Sequence, residues 1–302
     1  MSGVVPRRRP WAARRAARTE GSLTHRGALL LAPILFAFVV FYLFPLAQLL
    51  VSSFRDGSGW TLQYYQSLLN DPVALIVFIN TVKLAATVTL VTLVVAYPLA
   101  FLMSARGGWV GSVLLAAILF PFWISILVRT YAWMVLLGRE GVLNSLLMWL
   151  GLLNAPLELL YNRIGVHIGM VYVLLPLMTL PIYSSMQNFD RNLIRAAHSL
   201  GCGPIESLRR VYVPLTMPGV AAGSLLVFMM SLGFFITPAI MGGTGDITIA
   251  MLVEQTVNQD LNWSSGAAMS SVLLLITLTI FVGSRRILQR GSGDKAHGAL
   301  VG

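Results

Sequence analysis

The sequence predicts an all-α membrane protein with six transmembrane helices, and its composition gives the first reason. Of the 302 residues, 57% are apolar and only 11% are charged, and the mean hydropathy is +0.78. Soluble domains average roughly 25% charged residues, so a water-soluble fold could not bury this much apolar surface. The single cysteine, Cys202, excludes a disulfide framework and an all-cysteine metal site within the chain.

Six apolar windows are the second observation. A hydrocarbon layer of about 30 Å needs a helix of about twenty residues at a rise of 1.5 Å per residue. The windows lie at about residues 28–51, 73–103, 112–137, 164–189, 216–238 and 266–288. Together they predict a transmembrane domain over residues 28–288, between an Arg-rich cytoplasmic tail at 1–27 and a cytoplasmic tail at 289–302.

Prolines and small residues predict how these helices are shaped and packed. Prolines inside a membrane bundle are tolerated because neighbouring helices satisfy the carbonyls that they free, so several helices should be kinked. These prolines are Pro33, Pro45, Pro98, Pro121, Pro176 and Pro181. Small residues at 219–224 and 266–271 begin the last two windows, and they predict close contact between helices.

The distribution of positive charge predicts the topology. With the N-terminus inside, sixteen Lys and Arg residues near the span ends fall on the cytoplasmic side, and only Arg55, Arg139 and Arg163 fall outside. Cytoplasmic loops carry the excess of these residues, so both termini and the segment 190–215 should be cytoplasmic. The N-terminal arginines should then lie against anionic lipid headgroups, and we expect no nucleic-acid partner.

The polar segment 190–215 carries a recognisable spacing. Arg195-Ala196-Ala197 is followed after three residues by Gly201, and after nine more by a V-Y-V-P sequence that ends at Pro214. This spacing resembles the EAA loop (EAA-x3-G-x9-I-x-L-P) of the permease subunits of binding-protein-dependent ABC importers. Four further segments, at residues 121–137, 141–152, 169–186 and 213–223, resemble the spermidine/putrescine-type permeases of that family.

The resemblance implies a type I ABC importer permease fold and a set of partners. We expect a second, related permease chain, two ATPase subunits and an extracytoplasmic solute-binding protein, assembled in the bacterial cytoplasmic (inner) membrane. ATP and Mg²⁺ would be bound by the ATPase, so this chain would need no cofactor, metal or catalytic residue of its own. The expected cargo is a polyamine such as spermidine or putrescine. Because the subfamily also includes importers of opines, amino-acid-like compounds and phosphonates, these remain alternatives.

In such importers a short helix in the EAA loop is seated in a cleft of the ATPase. Here it should run from about Leu193 to Leu200 and end at Gly201, with Pro214 and Pro218 restarting the chain into the fifth span. The residues implied for coupling are Arg195, Ala196, Ala197, Leu200, Gly201, Gly203, Glu206 and Pro214. The family places Glu where this chain has Arg195. Either the position is solvated and tolerates both charges, or the ATPase carries a compensating acid.

Two cations within the predicted spans bear on the cargo. Lys83 and Arg129 should lie roughly 12 to 15 Å below the outer surface, where they either snorkel and stabilise the bundle or attract a carboxylate or phosphonate. The candidate pathway consists of Lys83, Trp123, Arg129, Tyr131, Trp133, Tyr172 and Tyr183, although aromatic belts would also explain the aromatic members. Asp246, Glu254 and Asp260 are candidate contacts for the binding protein at the outer mouth.

Two other classes of function are weighed against the permease. A secondary transporter would show inverted repeats and acidic sites within its spans, and neither is evident. A membrane enzyme needs catalytic residues that converge. Gly243 to Asp246 reads GxGD, the pattern of membrane aspartyl proteases, but the spans offer no second aspartate, and the sequence has no GxxxxGK[ST] phosphate loop.

Overall fold

The computed structural model of the protein describes residues 31–56 and 59–298, with side chains placed up to residue 284. The predicted tail 1–27 lies outside the described residues. The chain divides into two compact units, one ending at Thr61 and one beginning at Leu62. Within the described residues, five helices are long and apolar enough to cross a membrane, and a bent pair of helices makes a sixth span if it is counted as one.

The first unit contains helix α1 (Leu31–Ser52) and a two-stranded antiparallel sheet of β1 (Arg55–Asp56) and β2 (Gly59–Trp60). Helix α1 contains a π-helical turn at Val39–Leu43, just before Pro45. Proline has no N–H with which to continue the helical ladder, and the wider turn accommodates that missing donor without ending the helix. The first predicted window, 28–51, therefore corresponds to one continuous helix over its described part.

The second unit is built from helices, which we number in chain order. They are α2 (Gln63–Asn70), α3 (Pro72–Arg106), α4 (Gly108–Leu119), α5 (Ile126–Leu137), α6 (Val142–Trp149), α7 (Arg163–Gln187), α8 (Asn192–Ser199), α9 (Pro204–Leu232), α10 (Ile236–Met241), α11 (Ile249–Asn258) and α12 (Trp263–Gly298). The predicted tail at 289–302 thus begins as a continuation of α12.

The long helices α3 and α7 begin at side-chain caps. The Asp71 carboxylate accepts a hydrogen bond from the Val73 N–H (2.9 Å), and Pro72 occupies the first helical position, where its missing N–H costs nothing. The Asn162 side chain accepts hydrogen bonds from Ile164 N–H (2.9 Å) and Gly165 N–H (3.1 Å). These caps fix both starts within one residue of the predicted windows.

The third window is not straight. Residues 108–123 and 126–149 form two helical segments bent by 105° from each other. The bend follows a 3-10 turn at Phe120–Trp123, and Ile124 and Ser125 then adopt extended ψ angles of 134° and 139°. The sequence predicts only a kink at Pro121. The depth expected for Arg129 was counted along one straight axis through residues 112–137, which the bend interrupts, and it stays a prediction.

Helix α9, which corresponds to the fifth predicted window at 216–238, begins earlier than that window. Helix α9 starts at Pro204 and runs to Leu232, with a π-helical turn at Leu208–Tyr212. The Val213 N–H bonds to the Leu208 carbonyl, one residue further back than in an α-helix. The wider turn accommodates Pro214 without ending the helix, so the prediction that Pro214 restarts the chain is wrong. The first turns of α9 belong to the segment predicted as a loop.

The core of the second unit lies where α3, α7 and α9 pack against one another. Its fully buried side chains come mainly from α7, including Met170, Leu174, Met178 and Ile182. Small residues allow the close approach that was predicted for the fifth window. A β-carbon added at Gly219 would lie 2.6 Å from the Pro181 carbonyl oxygen, and one at Gly223 would lie 2.9 Å from that of Met178. The small residues of α12 face α11, because a β-carbon at Gly266 would collide with Val257.

Candidate functional site

The predicted coupling segment folds as the short helix α8. The Asp190 carboxylate accepts a hydrogen bond from the Asn192 N–H (2.9 Å), which holds the start of the helix. At the other end, the N–H of Cys202 returns to the Ala197 carbonyl (3.0 Å), and Gly201 has a φ of +87°. Only glycine adopts this φ without strain, so Gly201 ends the helix as predicted, and the observed bounds differ from the predicted ones by one residue.

Two long-range hydrogen bonds attach α8 to the bundle. The Arg191 Nη2 donates to the Ser104 carbonyl at the end of α3 (2.9 Å). The His198 Nε2 lies 3.1 Å from the Ser207 hydroxyl in the first turn of α9. Ala197 is buried on the same side of α8. These contacts join α8 to the ends of both α3 and α9.

Tyr212 is the residue around which this end of the bundle is packed. Its ring makes edge contacts with Phe101 and Phe189, at centroid distances of 5.6 and 4.9 Å, and its hydroxyl lies 3.2 Å from the Ser104 hydroxyl. Because Tyr212 closes the π-helical turn of α9, these contacts join that turn to α3. Nearby, the Tyr97 hydroxyl lies 3.1 Å from Thr216 Oγ1 and makes a second link between α3 and α9.

The outward side of α8 is apolar at its tip and basic around it. Leu200 is 87% exposed and Ile205 is 81% exposed. Arg195 and Ala196 are exposed as well. Glu206 pairs with Arg210 at 3.2 Å along the first turns of α9. This tip, which we call the α8 tip, consists of Arg195, Ala196, Leu200, Gly201, Gly203 and Ile205.

A cavity of about 270 Å³ lies at the opposite end of the bundle, between α3, the start of α7 and residues 245–248. Its polar lining consists of Asn80, Lys83, Thr87, Arg163, His167, Asp246 and Thr248. The His167 Nδ1 lies 2.6 Å from the Arg163 carbonyl, and its Nε2 lies 2.7 Å from the Thr87 hydroxyl. A carbonyl only accepts, so Nδ1 carries a proton.

Asp246 closes one wall of this cavity. Its two carboxylate oxygens accept hydrogen bonds from Arg163 Nε and from the Gly243 N–H, both at 3.1 Å, and its side chain is only 9% exposed. The following residues are tied to α3, because the Ile249 N–H donates to Thr81 Oγ1 (2.9 Å). The carboxylate of Asp246 is thus engaged within the chain, and the GxGD sequence forms a turn that is bonded to the start of α7.

The remaining candidate pathway residues do not form one site. Trp133 and Tyr172 meet edge to face, with ring centroids 5.3 Å apart. Tyr183 lies eleven residues further along α7, about 16 Å away along the helix. Trp123 and Tyr131 are exposed on either side of the 105° bend. The aromatic residues are therefore spread over the length of the bundle.

Arg129 follows the bend, on α5. Its Nε is buried and has no hydrogen-bond partner among the described residues. Thr237 on α10, a helix that contacts α5, has a buried hydroxyl that is likewise without a partner in the described part of the chain. The structure describes no group of three or more His, Cys, Asp or Glu side chains that could hold a metal ion.

The family is shown by a match over most of the described helices. Residues 96–291 match the model of the family described as "Binding-protein-dependent transport system inner membrane component". The chain belongs to this family. The matched region includes the α8 tip and helices α4 to α11, and it begins inside α3.

Relatives of this permease extend the similarity towards its N-terminus. It is 35% identical over 268 residues to the "Spermidine/putrescine transport system permease protein PotB" of Haemophilus influenzae, covering 85% of this chain and 93% of that one. The Escherichia coli K12 protein of the same name is 35% identical over 252 residues, with 81% and 90% covered. A chain of a bacterial alginate ABC transporter in complex with a periplasmic protein has the same fold, with a TM-score of 0.75 at 15% identity over 89% of this chain and 96% of that one.

The predicted coupling residues differ in how far they are accessible to a partner. Leu200, Gly201 and Gly203 lie at the α8 tip, and Ala196 is exposed beside them, whereas Ala197 is buried in its own chain and leaves no room for a partner. At the other end, Glu254 accepts a hydrogen bond from Asn258 (3.3 Å) and Asp260 is exposed after α11.

The expected depth of Lys83 stays a prediction. Helix α3 has 35 residues, about 52 Å at 1.5 Å per residue, and so exceeds a hydrocarbon layer of about 30 Å by roughly fifteen residues. Lys83 shares its cavity with Arg163, the first residue of α7, so it lies level with the start of that helix.

Sequence reasoning missed Arg191, Ser104, His198 and Tyr212. Polar residues are common at the ends of short helices. No local sequence pattern distinguishes a polar side chain that bonds to a distant helix from one that does not. The partners are separated by 87 residues for Arg191 with Ser104 and by 108 for Ser104 with Tyr212. These contacts are visible only once the helices are placed.

Proposed function

We propose that this permease forms half of the translocation pathway of an ATP-driven importer of polyamines such as spermidine or putrescine. The cargo would be delivered by an extracytoplasmic binding protein, and ATP and Mg²⁺ would be bound by two ATPase subunits. A second, related permease chain would complete the pathway. The cargo assignment is supported by the names of the two relatives that are 35% identical over more than four fifths of this chain.

One observation carries the coupling role. Helix α8 is bonded to α3 and α9 through Arg191 and His198, yet it presents the apolar side chain of Leu200, 87% exposed, beyond the bundle. Burying a leucine side chain in a partner contributes about 1.5 to 3 kcal/mol. The α8 tip therefore has both an anchor for an ATPase and a rigid connection to two spanning helices. This arrangement suits alternating access by rigid-body motion.

The proposed orientation places the α8 tip and both termini in the cytoplasm. It is supported by the sixteen Lys and Arg residues that the sequence assigns to that side. The Lys83 cavity, at the other end of the bundle, then faces the outside. A membrane-impermeant thiol reagent tests this orientation with Leu200→Cys as the target, in a Cys202→Ser background that leaves no other cysteine. Labelling of intact cells from outside would contradict the orientation, and labelling of inside-out vesicles alone would support it.

A second cargo class is favoured by one observation. The buried Nε of Arg129 has no partner among the described residues, and it would suit a carboxylate or phosphonate better than a polycation. Uptake of labelled spermidine, competed with putrescine, an amino-acid panel, an opine and a phosphonate, separates the two. Competition by putrescine supports the polyamine importer, and indifference to every polyamine would refute it.

A further inference from the structure

The charges of the Lys83 cavity do not balance. Lys83 and Arg163 contribute two positive charges, and Asp246 is the one acidic residue in the lining. That carboxylate is already held by Arg163 and by the Gly243 N–H. Lys83 is exposed, and its ammonium has no hydrogen-bond or ion-pair partner in the described part of the chain. The cavity thus presents an unpaired cation.

The size of the cavity and its unpaired positive charge limit what it could receive. Its volume of about 270 Å³ is near the lower limit of small-molecule sites, about 300 to 1,000 Å³, and is enough for one or two side chains. The ammonium of Lys83 and the exposed guanidinium of Arg163 repel a polyamine. An anionic group on a short stem is the complementary ligand, because each cation can donate a charge-assisted hydrogen bond to a carboxylate.

We infer that the Lys83 cavity receives an aspartate or glutamate side chain of the solute-binding protein when that protein docks. The inference rests on the proposed orientation, which places the cavity on the side from which the binding protein approaches. Arg163 is 62% exposed at the rim, where it can steer an acidic partner, and Lys83 stands behind it. Complementary charge at such a rim governs the rate of encounter and the register of docking. A cation at this position then serves docking, so it no longer conflicts with a cationic cargo.

The walls of the cavity also connect it to the helices of the core. Its wall of residues 245–248 leads directly into α11, and its floor is the first turns of α7. The Arg163–Asp246 pair joins this wall to α7, and the Ile249–Thr81 hydrogen bond joins α11 to α3. An acidic side chain inserted beside Lys83 would contact all three elements at once. Docking is thereby connected to the same helices, α3 and α7, that pack against α9 in the core.

The test is a titration of cargo-loaded binding protein against the complete transporter in nanodiscs, read as stimulated ATP hydrolysis. Lys83→Gln should raise the half-saturating concentration of binding protein about fivefold, which corresponds to about 1 kcal/mol. Lys83→Glu should raise it further. Both effects should shrink as salt rises from about 50 to about 500 mM. Lys83→Arg should stay within about twofold of the parent.

Arg139→Gln is the matched control, because Arg139 is also an exposed cation assigned to the outer side, pairs with Glu158 and lies outside this cavity. An unchanged half-saturating concentration in Lys83→Gln, or an equal shift in Arg139→Gln, would overturn the inference. A shift that occurs only in nanodiscs containing anionic lipid would assign the cavity to a lipid phosphate instead. If the parent transporter shows no stimulation by binding protein at all, the proposed function fails, and that result is distinct from either outcome.

Discussion

Replacing Leu200 with serine should weaken the binding of the ATPase without disturbing the permease itself. Leu200 is 87% exposed and follows the last turn of α8, so the permease loses no internal packing. If the side chain becomes buried in the ATPase, its removal costs about 2 kcal/mol of burial, which corresponds to about a thirtyfold increase in dissociation constant. Ile205, 81% exposed nearby, should behave in the same way, and the double variant should lose stable assembly.

The assay is the binding of purified ATPase to the permease pair in nanodiscs, followed by ATP hydrolysis at saturating binding protein. Leu152→Ser is the matched control, since Leu152 is 67% exposed in the segment between α6 and α7, which the proposed topology places outside. Leu152→Ser should bind the ATPase like the parent. Unchanged affinity in Leu200→Ser, or equal loss in both variants, would show that the α8 tip is not the contact and would refute the reasoning.

Three further changes test the rest of the coupling account. Arg195→Glu should keep most of the stimulated ATP hydrolysis, because Arg195 is exposed and either charge is solvated there; near-total loss would instead indicate a compensating acid on the ATPase. Gly219→Ala should lower the melting temperature in detergent, because its β-carbon would lie 2.6 Å from the Pro181 carbonyl oxygen and overpacking costs about 1 to 3 kcal/mol. Gly203→Ala is the control and should leave the melting temperature unchanged, because there is open space around Gly203. Arg191→Leu should lower the solute transported per ATP hydrolysed while ATPase binding stays within about twofold, and loss of binding instead would contradict its role as a link to α3.

The parts of the fold that follow from local chemistry were predictable from sequence. The starts of α3 and α7 were predicted within one residue from the apolar runs alone, and the structure adds the caps Asp71 and Asn162 that precede them. The end of α8 was predicted from Gly201, because its φ of +87° is a property of that residue type. Hydropathy and turn chemistry are both local, and both were sufficient here.

Backbone direction within an apolar run was not predictable in the same way. Residues 112–137 are predominantly apolar, and their hydropathy fits a straight helix as well as it fits the 105° bend at Ile124 and Ser125. The start of α9 was misplaced for a related reason. A proline normally ends a helix, but the π-helical turn at Leu208–Tyr212 supplies the extra residue that lets α9 pass through Pro214.

The candidate site could be predicted only in part. The spacing around Arg195 identifies the coupling segment. Which of its residues are exposed depends on what α8 packs against, and Ala197 proved to be buried. The Lys83 cavity depends on Arg163 and Asp246, which are 80 and 163 positions away in the sequence. Tertiary packing brings these distant residues into one cavity, and the periodicity of a single segment cannot predict it.

The most direct measurement of the central claim is uptake of labelled spermidine by proteoliposomes that contain the permease pair with or without its ATPase. The binding protein is supplied outside and ATP inside. The account predicts uptake only when the ATPase and ATP are both present, and its loss in vesicles whose permease carries both Leu200→Ser and Ile205→Ser. Uptake of spermidine by the permease pair alone would contradict the account, because the bundle would then be moving its cargo without the ATPase that α8 is proposed to engage.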